Sequence, residues 1–160
     1  MKELNITCQF TIYDNPSNLP LEVQTLLEEA IKIRKNAYAP YSQFKVGAAI
    51  LLENEKIVLG SNQENAAYPS GLCAERVAIY QAGALYPSIP IKTIIITASS
   101  ELNHTITPIP PCGACRQAIA EYELKQETPI AIYFTGETGV IYKSASLKNL
   151  LPLLFNKNLL

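Results

Sequence analysis

Residues 91–98 read IKTIIITA, and this short stretch decides which class of fold the sequence predicts. The run is apolar at nearly every position and rich in β-branched side chains. It therefore lacks the alternation of apolar and polar residues that marks a strand with one solvent-exposed face. Such a run is typical of a central strand that is covered on both faces. The sequence therefore predicts a sheet with a layer of helices on each side.

Helical and strand patterns alternate along the rest of the chain. We therefore expect an α/β fold, a three-layer αβα arrangement around a mixed sheet, formed as one domain over residues 1–160. The predicted helices are 21–38, 71–83 with Gly83 as its stop, 114–124, and a short one broken by Pro152 within 146–160. The predicted strands are a pair within 44–62 that turns at Asn54–Glu55, and 129–134.

The beginning of the chain shows the alternation that residues 91–98 lack. In NITCQFTIYD (5–14), the side chains of Ile6, Cys8, Phe10 and Ile12 fall on one face, which predicts a half-buried strand. Cys8 occupies one of the inward positions of this strand. We therefore expect Cys8 to be buried as a small apolar residue.

Composition and charge exclude several classes of protein. The chain has 160 residues, of which 48% are hydrophobic and 17% charged, a balance typical of a folded domain. The formal net charge of −1 provides no basic surface for nucleic acid. The N-terminal residues lack the apolar core of a signal peptide, and no apolar run is long enough to cross a membrane. We expect a cytoplasmic protein with no nucleic-acid or membrane partner.

Three of the four cysteines have the spacing of a metal site. Cys112 and Cys115 form a C-x-x-C pair at a turn that leads into a predicted helix, and Cys73 lies where the preceding helix should begin. A helix N-terminus stabilises a thiolate, and a site rich in sulfur suits zinc. The sequence therefore predicts one zinc ion held by Cys73, Cys112 and Cys115.

Two arrangements of this zinc site are possible. Three protein ligands leave a fourth position for water, which is the pattern of catalytic zinc. A closed structural site would need Cys8 or His104 as the fourth ligand. Cys8 is expected in the core, and His104, the only histidine, lies in a polar loop punctuated by prolines. The open arrangement is therefore favoured.

Glu75, Arg76 and Arg116 adjoin the predicted ligands. On a regular helix Glu75 would point away from Cys73, but an extended backbone at Cys73 would turn the carboxylate toward the metal's open side, as a general acid/base requires. An acidic residue also simply suits a helix N-terminus. Three thiolates and zinc carry a net charge of −1, which Arg76 would offset by donating hydrogen bonds to sulfur. Arg116 fits that role or a solvated surface role equally well.

Three blocks of the chain resemble a known family. AYAPYSQFKVGAAI (37–50), GSNQENAAYPSGLCAER (60–76) and PCGACRQ (111–117) are similar to the small, homotetrameric, zinc-dependent type of cytidine deaminase. The resemblance extends from about residue 37 to residue 155 and implies a cytidine deaminase-like fold. Residues 1–20 precede it as an extension, which we expect to add an edge strand or an oligomer contact without a catalytic role.

The resemblance also implies roles for individual residues. In the family, the positions of Asn62 and Glu64 hold the ribose, and that of Phe44 packs against the pyrimidine ring. The backbone N–H at Ala74 would bind the pyrimidine carbonyl, and Phe155 would reach over the site of a neighbouring subunit. Within a strand, Asn62 and Glu64 would project to the same face. A polar strand end, a core phenylalanine and a tail docked on its own domain are the alternative interpretations.

The implied activity is zinc-dependent hydrolytic deamination of cytidine and 2′-deoxycytidine to uridine and deoxyuridine, a step of pyrimidine salvage. The implied assembly is a homotetramer with shared active sites and one zinc per subunit. Three alternatives are a deaminase of another aminated base such as blasticidin S, a nucleic-acid-editing deaminase, and a structural zinc-binding module. Editing enzymes typically use histidine as the first ligand and need basic channels, whereas Asn62, Glu64 and Arg76 favour a nucleoside.

Overall fold

A six-stranded sheet runs through the centre of the computed structural model, which describes residues 1–156 and 159. The strands are β1 (Thr11–Tyr13), β2 (Phe44–Leu52), β3 (Ile57–Ser61), β4 (Ile91–Ser100), β5 (Ala131–Thr135) and β6 (Ile141–Ser144). The helices are α1 (Leu21–Arg34), α2 (Ala74–Leu85) and α3 (Gly113–Gln126). The strand order is β1-β6-β5-β4-β2-β3; β4 and β5 are parallel and the other pairs are antiparallel. The expected mixed α/β sheet is confirmed.

Strand β4 carries residues 91–98 and is covered on both faces, as the sequence predicts. It lies between β2 and β5. Ile94 and Ile96 belong to the apolar core that includes α2 and α3, whereas Ile95 belongs to the core that includes α1. None of these three side chains is more than 1% exposed. The continuous apolar run therefore reflects burial against two helical layers.

Helix α1 forms one outer layer, and α2 with α3 forms the other. Val23, Leu26, Leu27 and Ala30 are the buried residues of α1, at the spacing that defines one helical face. The helix ends at Arg34, four residues earlier than the pattern predicts. None of the described helices is long and apolar enough to span a bilayer.

The prediction that α2 stops at Gly83 is wrong. The helix continues to Leu85, and Gly83 lies within it. A Cβ atom at Gly83 would lie 2.4 Å from the Tyr122 hydroxyl oxygen, so the glycine is needed for the close approach of α2 and α3. From one sequence, a glycine required for packing is indistinguishable from one that ends a helix.

The prediction of a half-buried strand over residues 5–14 is largely wrong. Strand β1 has three residues, pairs with β6 and forms an edge of the sheet. Because regular pairing is so short, Ile6 and Cys8 remain exposed, and Cys8 is not the buried core residue expected. Phe10 does pack, with its ring 6.2 Å from that of Phe134. The extension thus adds an edge strand, as expected, but contributes little to the core.

The C-terminal part of the chain differs from expectation in two ways. Strand β6 was not predicted, because a four-residue strand with two polar residues carries too short a pattern. The predicted terminal helix is reduced to a 3-10 turn at Leu147–Asn149, and residues 150–156 form no further helix. The rest of that prediction, at 157, 158 and 160, lies outside the described residues.

Buried Glu123 fixes this 3-10 turn to the core. One carboxylate oxygen accepts the backbone N–H groups of Ile130 and Leu147, at 2.8 and 3.0 Å, and the other accepts the Ser146 hydroxyl at 2.7 Å. A single side chain on α3 therefore satisfies donors at the approach to β5 and at the turn before the C-terminal tail. Leaving these buried donors without a partner costs free energy.

We predict that Glu123→Ala lowers the free energy of unfolding by about 2–4 kcal/mol, because two buried N–H groups lose their acceptor. Urea unfolding of the zinc-loaded protein measures the effect. The control is Glu121→Ala on the exposed side of the same helix, which should change stability by less than about 0.5 kcal/mol. Equal stability of the two variants would contradict this role of Glu123.

Candidate metal centre and active site

The three cysteines of the predicted zinc site come from the N-termini of two neighbouring helices. Cys73 is the N-cap of α2 and Cys112 is the N-cap of α3, both with extended backbone. Cys115 lies in the first turn of α3 and is fully buried. Gly60 on β3 permits this placement of α2, since a Cβ atom there would lie 2.4 Å from the carbonyl oxygen of Ala74.

The three sulfur atoms have the spacing that tetrahedral zinc requires. The Sγ atoms of Cys73 and Cys112 are 3.9 Å apart, and those of Cys112 and Cys115 are 3.5 Å apart. All three lie within 4.8 Å of one another. Zinc–sulfur bonds of about 2.3 Å at tetrahedral angles place sulfurs about 3.8 Å apart. The donor set fits zinc, and the prediction of a metal site at these cysteines is confirmed.

Within residues 1–156 and 159, no fourth histidine, cysteine or carboxylate joins this cluster. Cys8 is exposed on the extension. His104 is engaged elsewhere, with Nδ1 3.0 Å from the Glu137 carboxylate and Nε2 3.0 Å from the Thr138 hydroxyl. The geometry thus favours three protein ligands over a site closed by Cys8 or His104.

The electrostatics of the thiols favour binding of a cation. A hydrogen bond from Cys115, together with those from Arg76 and Cys112, outweighs burial and lowers the pKa of Cys73 to about 5. The pKa of Cys115 is raised, first because its thiol donates to Cys73 and then because it is buried. A lowered pKa favours the thiolate form of Cys73, which is the form that binds a cation, and a metal ion would stabilise the deprotonated form of the other two.

Arg76 and Arg116 make different contacts, although both adjoin ligands in the sequence. The Nη2 atom of Arg76 lies 3.9 Å from the Cys73 sulfur, and its Nε is buried without a hydrogen-bond partner among the described residues. Arg116 instead donates from Nε to the Pro111 carbonyl and from Nη1 to the Leu150 carbonyl, each at 2.8 Å. The positive charge beside the sulfurs therefore comes from Arg76.

Glu75 lies beside the thiols and is nearly inaccessible to solvent. It is 5% exposed, although it follows Cys73 by only two residues. The N-cap torsions of Cys73, φ −70° and ψ 153°, are extended, which meets the condition for the two side chains to converge. Burial is the main cause that raises the pKa of Glu75, the Cys73 thiolate adds to the rise, and a hydrogen bond from Cys115 acts in the opposite direction. A buried carboxyl with a raised pKa is suited to moving protons.

Asn62 and Glu64 line one cavity, but the predicted reason is wrong. Strand β3 ends at Ser61, so alternation along a strand does not align the two side chains. The side chain of Asn62 instead bridges the backbone of β2, donating to the Phe44 carbonyl at 2.9 Å and accepting from the Val46 N–H at 2.8 Å. Asn62 therefore fixes the start of β2 and also lines the cavity.

Sequence analysis did not identify the residues that hold Glu64. The hydroxyl of Ser42 donates to one carboxylate oxygen, and the backbone N–H groups of Tyr41 and Ser42 donate to the other at 2.9 and 3.3 Å. The Ser42 hydrogen bond is the main cause that lowers the pKa of Glu64. The one sequence feature that could have pointed to Ser42 is its position two residues before Phe44, within residues 37–50. Its pairing with Glu64 is visible only in the tertiary structure.

The cavity formed by these residues reaches the metal centre. It has a volume of about 330 Å³. Its walls include Tyr41, Asn62, Glu64, Tyr68, Cys73 and Arg76. Aromatic rings, an amide and a carboxylate therefore share one cavity with a predicted metal ligand, which is the composition of a small-molecule site.

The remaining predicted site residues, Ala74, Phe44 and Phe155, lie on three different parts of the chain. Ala74 is the first residue of α2 and is fully buried next to Cys73. Phe44 begins β2 and shares with Val46 the face turned toward α2 and α3. Phe155 lies on the tail with 59% of its surface exposed, and its carbonyl accepts a hydrogen bond from Gln117. Within this single chain, more than half of the surface of Phe155 is therefore left uncovered.

Comparison with known proteins identifies the family. Residues 21–129 match the model of the cytidine and deoxycytidylate deaminase zinc-binding region. A cytidine deaminase of Sporosarcina psychrophila is 39% identical over 137 residues, which cover 86% of this chain and 93% of that protein. One from Halalkalibacterium halodurans is 43% identical over 101 residues, which cover 63% of this chain and 72% of that protein.

Solved structures agree with this assignment. The crystal structure of cytidine deaminase from Burkholderia pseudomallei has a TM-score of 0.71 and 37% identity, covering 82% of this chain and 97% of its own. That of cytidine deaminase from Mycobacterium tuberculosis has a TM-score of 0.66 and 27% identity, covering 86% and 99%. From its fold, its three zinc-spaced thiols and these relatives, the chain belongs to the cytidine and deoxycytidylate deaminase family.

Proposed function

We propose that the chain catalyses the zinc-dependent hydrolytic deamination of cytidine and 2′-deoxycytidine to uridine and deoxyuridine. The observation that carries this proposal is the buried carboxyl of Glu75 beside three sulfurs with zinc spacing. The family membership and the relatives named cytidine deaminase support it. A nucleoside is the class of substrate that fits a cavity combining aromatic, amide and carboxylate groups.

Cys73, Cys112 and Cys115 would hold the zinc ion. When bound, zinc would act as a Lewis acid that lowers the pKa of water, so that water can lose a proton and act as a nucleophile near neutral pH. Three thiolates weaken that effect by donating negative charge. Arg76, next to the Cys73 sulfur, would draw some of this charge away and so help to keep the site reactive.

Glu75 would carry the protons of the reaction. Its carboxylate accepts one proton from the attacking water as the oxygen bonds to C4 of the cytosine ring, and it delivers that proton to N3. The second proton of the water then leaves with the amino group through Glu75, as the C4–N bond breaks. Water and cytidine are thereby converted into uridine and ammonia. The raised pKa of Glu75 supports this cycle between two protonation states.

The cavity residues would orient the nucleoside. Glu64 already accepts hydrogen bonds from the protein and stays an acceptor, so it is suited to a sugar hydroxyl, and Asn62 lies beside it. As the first residue of α2, Ala74 offers one of the N–H groups that lack an intrahelical acceptor, which suits the pyrimidine carbonyl. Phe44 would pack against the pyrimidine ring.

The exposed ring of Phe155 supports a shared site. We propose a homotetramer in which Phe155 reaches over the site of a neighbouring subunit, with one zinc per subunit. The chain would act as one domain over residues 1–160, with residues 1–20 as an extension outside the catalytic machinery. A cytoplasmic place in pyrimidine salvage follows from the proposed substrate.

A single assay separates this function from its alternatives. Purified protein is given cytidine or blasticidin S, with and without a zinc chelator, and the ultraviolet absorbance of the substrate is followed. We expect loss of absorbance with cytidine alone and no loss after chelation. Turnover of blasticidin S alone would favour the other deaminase class, and no turnover of either compound would favour a structural zinc module.

We predict that Glu75→Gln retains zinc but loses nearly all turnover, since an amide of the same shape cannot carry protons. Zinc content by atomic absorption and the rate with cytidine check the two parts. Glu121→Gln, an exposed change on α3, serves as the control and should keep the wild-type rate. A wild-type rate for Glu75→Gln would show that its role is wrongly assigned.

We predict that Cys112→Ala loses both zinc and activity, because two thiols remain at a site that needs three. Cys8→Ala is the matched control, since Cys8 is exposed and lies outside the cluster. Zinc per subunit is measured for both variants. One equivalent of zinc still bound by Cys112→Ala would contradict the proposed ligand set.

A further inference from the structure

Arg116 joins two segments of the chain that meet beside the metal centre. It follows Cys115 on α3 and is partly buried. Its Nε donates to the Pro111 carbonyl and its Nη1 to the Leu150 carbonyl, both at 2.8 Å. Its backbone N–H donates to the Cys112 carbonyl at 2.9 Å. The guanidinium therefore holds the carbonyl of Pro111, directly before Cys112, whereas the Cys112 carbonyl is held by the helix backbone whatever side chain stands at position 116.

Three prolines limit the backbone hydrogen bonds that the segment before Cys112 can form. It reads PIPPC over residues 108–112, and its three prolines have no N–H to donate. Proline can take part in backbone hydrogen bonds only through its carbonyl group, so the donor to buried Pro111 must come from elsewhere. The side chain of Cys112 forms no capping hydrogen bond of its own and is exposed, in contrast to buried Cys115. The position of the Cys112 thiol therefore depends on the backbone that carries it.

The other end of the Arg116 contact is rigid. Leu150 is 6% exposed and belongs to the core of the layer formed by α2 and α3. The turn just before it is fixed by the carboxylate of Glu123, which accepts the N–H of Leu147 and the hydroxyl of Ser146. The guanidinium thus connects the segment before Cys112 to a part of the chain that is itself held at several points.

We propose that Arg116 is a positioning residue for Cys112, which keeps the Pro111–Cys112 backbone where its thiolate closes the zinc site. The inference rests on the proposed ligand role of Cys112. A planar guanidinium offers donors in two fixed directions and reaches both carbonyls, whereas the single ammonium of lysine is a point donor. Without the guanidinium, the Pro111 and Leu150 carbonyls each lose a charge-assisted hydrogen bond. We expect Cys112 to leave the metal more readily as a result.

The test measures the rate at which zinc leaves the folded, loaded protein into a chromogenic chelator. We expect Arg116→Gln and Arg116→Lys to release zinc at least about tenfold faster than wild type, the usual effect of losing a group that supports a metal ligand. Gln117→Ala is the matched control. Gln117 is the next residue on α3, and its side chain donates to the Phe155 carbonyl instead of to residues 108–112, so the variant should release zinc at the wild-type rate.

Two further measurements separate positioning from general stability. Val23→Ala truncates a buried side chain of α1 in the core on the other face of the sheet, so it should lower stability while leaving zinc release unchanged. In cobalt-loaded protein, Arg116→Lys should shift the absorption bands that report tetrahedral sulfur coordination. Should Arg116→Gln fail to fold, Arg116→Lys decides the question by both readouts.

Two negative outcomes are distinguishable. Wild-type zinc release and an unshifted cobalt spectrum in Arg116→Lys would overturn the positioning role alone, as would release rates that follow stability across Arg116→Lys and Val23→Ala. Wild-type protein that binds no zinc would overturn the ligand assignment together with everything that rests on it.

Discussion

The constraint on which the structure depends is that three mutually repelling thiolates must meet at one point. The strands make this possible, since β3 and β4 both run antiparallel to β2 and therefore end at the same edge of the sheet. The helices that follow them, α2 and α3, begin at that edge, so Cys73 and Cys112 meet as their N-caps. The positive ends of both helices and the guanidinium of Arg76 offset part of the repulsion, and the zinc ion offsets the rest.

The placement of Cys73 at the start of α2 also brings the carboxyl group of Glu75 to a buried position beside the sulfurs. Burying Glu75 disfavours its charged form, and its pKa rises. An ordinary core would exclude such a group, yet here it is placed beside the sulfurs by the extended backbone of Cys73. Glu64, by contrast, is surrounded by donors from residues 41–42 and its pKa falls. The pKa values of these two carboxyl groups are thus shifted in opposite directions, which suits the proton transfer proposed for Glu75 and the hydrogen bond to a ligand proposed for Glu64.

Hydrogen bonds to backbone groups give this site its precision. Asn62 bridges the start of β2, Glu123 holds the turn before the tail, and Arg116 holds the carbonyl groups of Pro111 and Leu150. Each joins segments that are far apart in the sequence, so each works only in the folded chain. Residues 1–20 lie outside the matched family region and add one edge strand of three residues, which leaves Ile12 54% exposed.

Local sequence patterns were sufficient to predict the α/β architecture and the metal site. The apolar run at 91–98, the helical spacing within residues 21–38 and the spacing of Cys112 and Cys115 each act over a few residues, and each predicted the right kind of feature, although the helix ends at Arg34. The tertiary structure alone decided that Gly83 makes room for Tyr122, that Cys8 stays exposed, and that Arg76 rather than Arg116 contacts sulfur. These outcomes depend on which distant segments meet, and a contact between distant residues leaves no periodic signal in a single sequence.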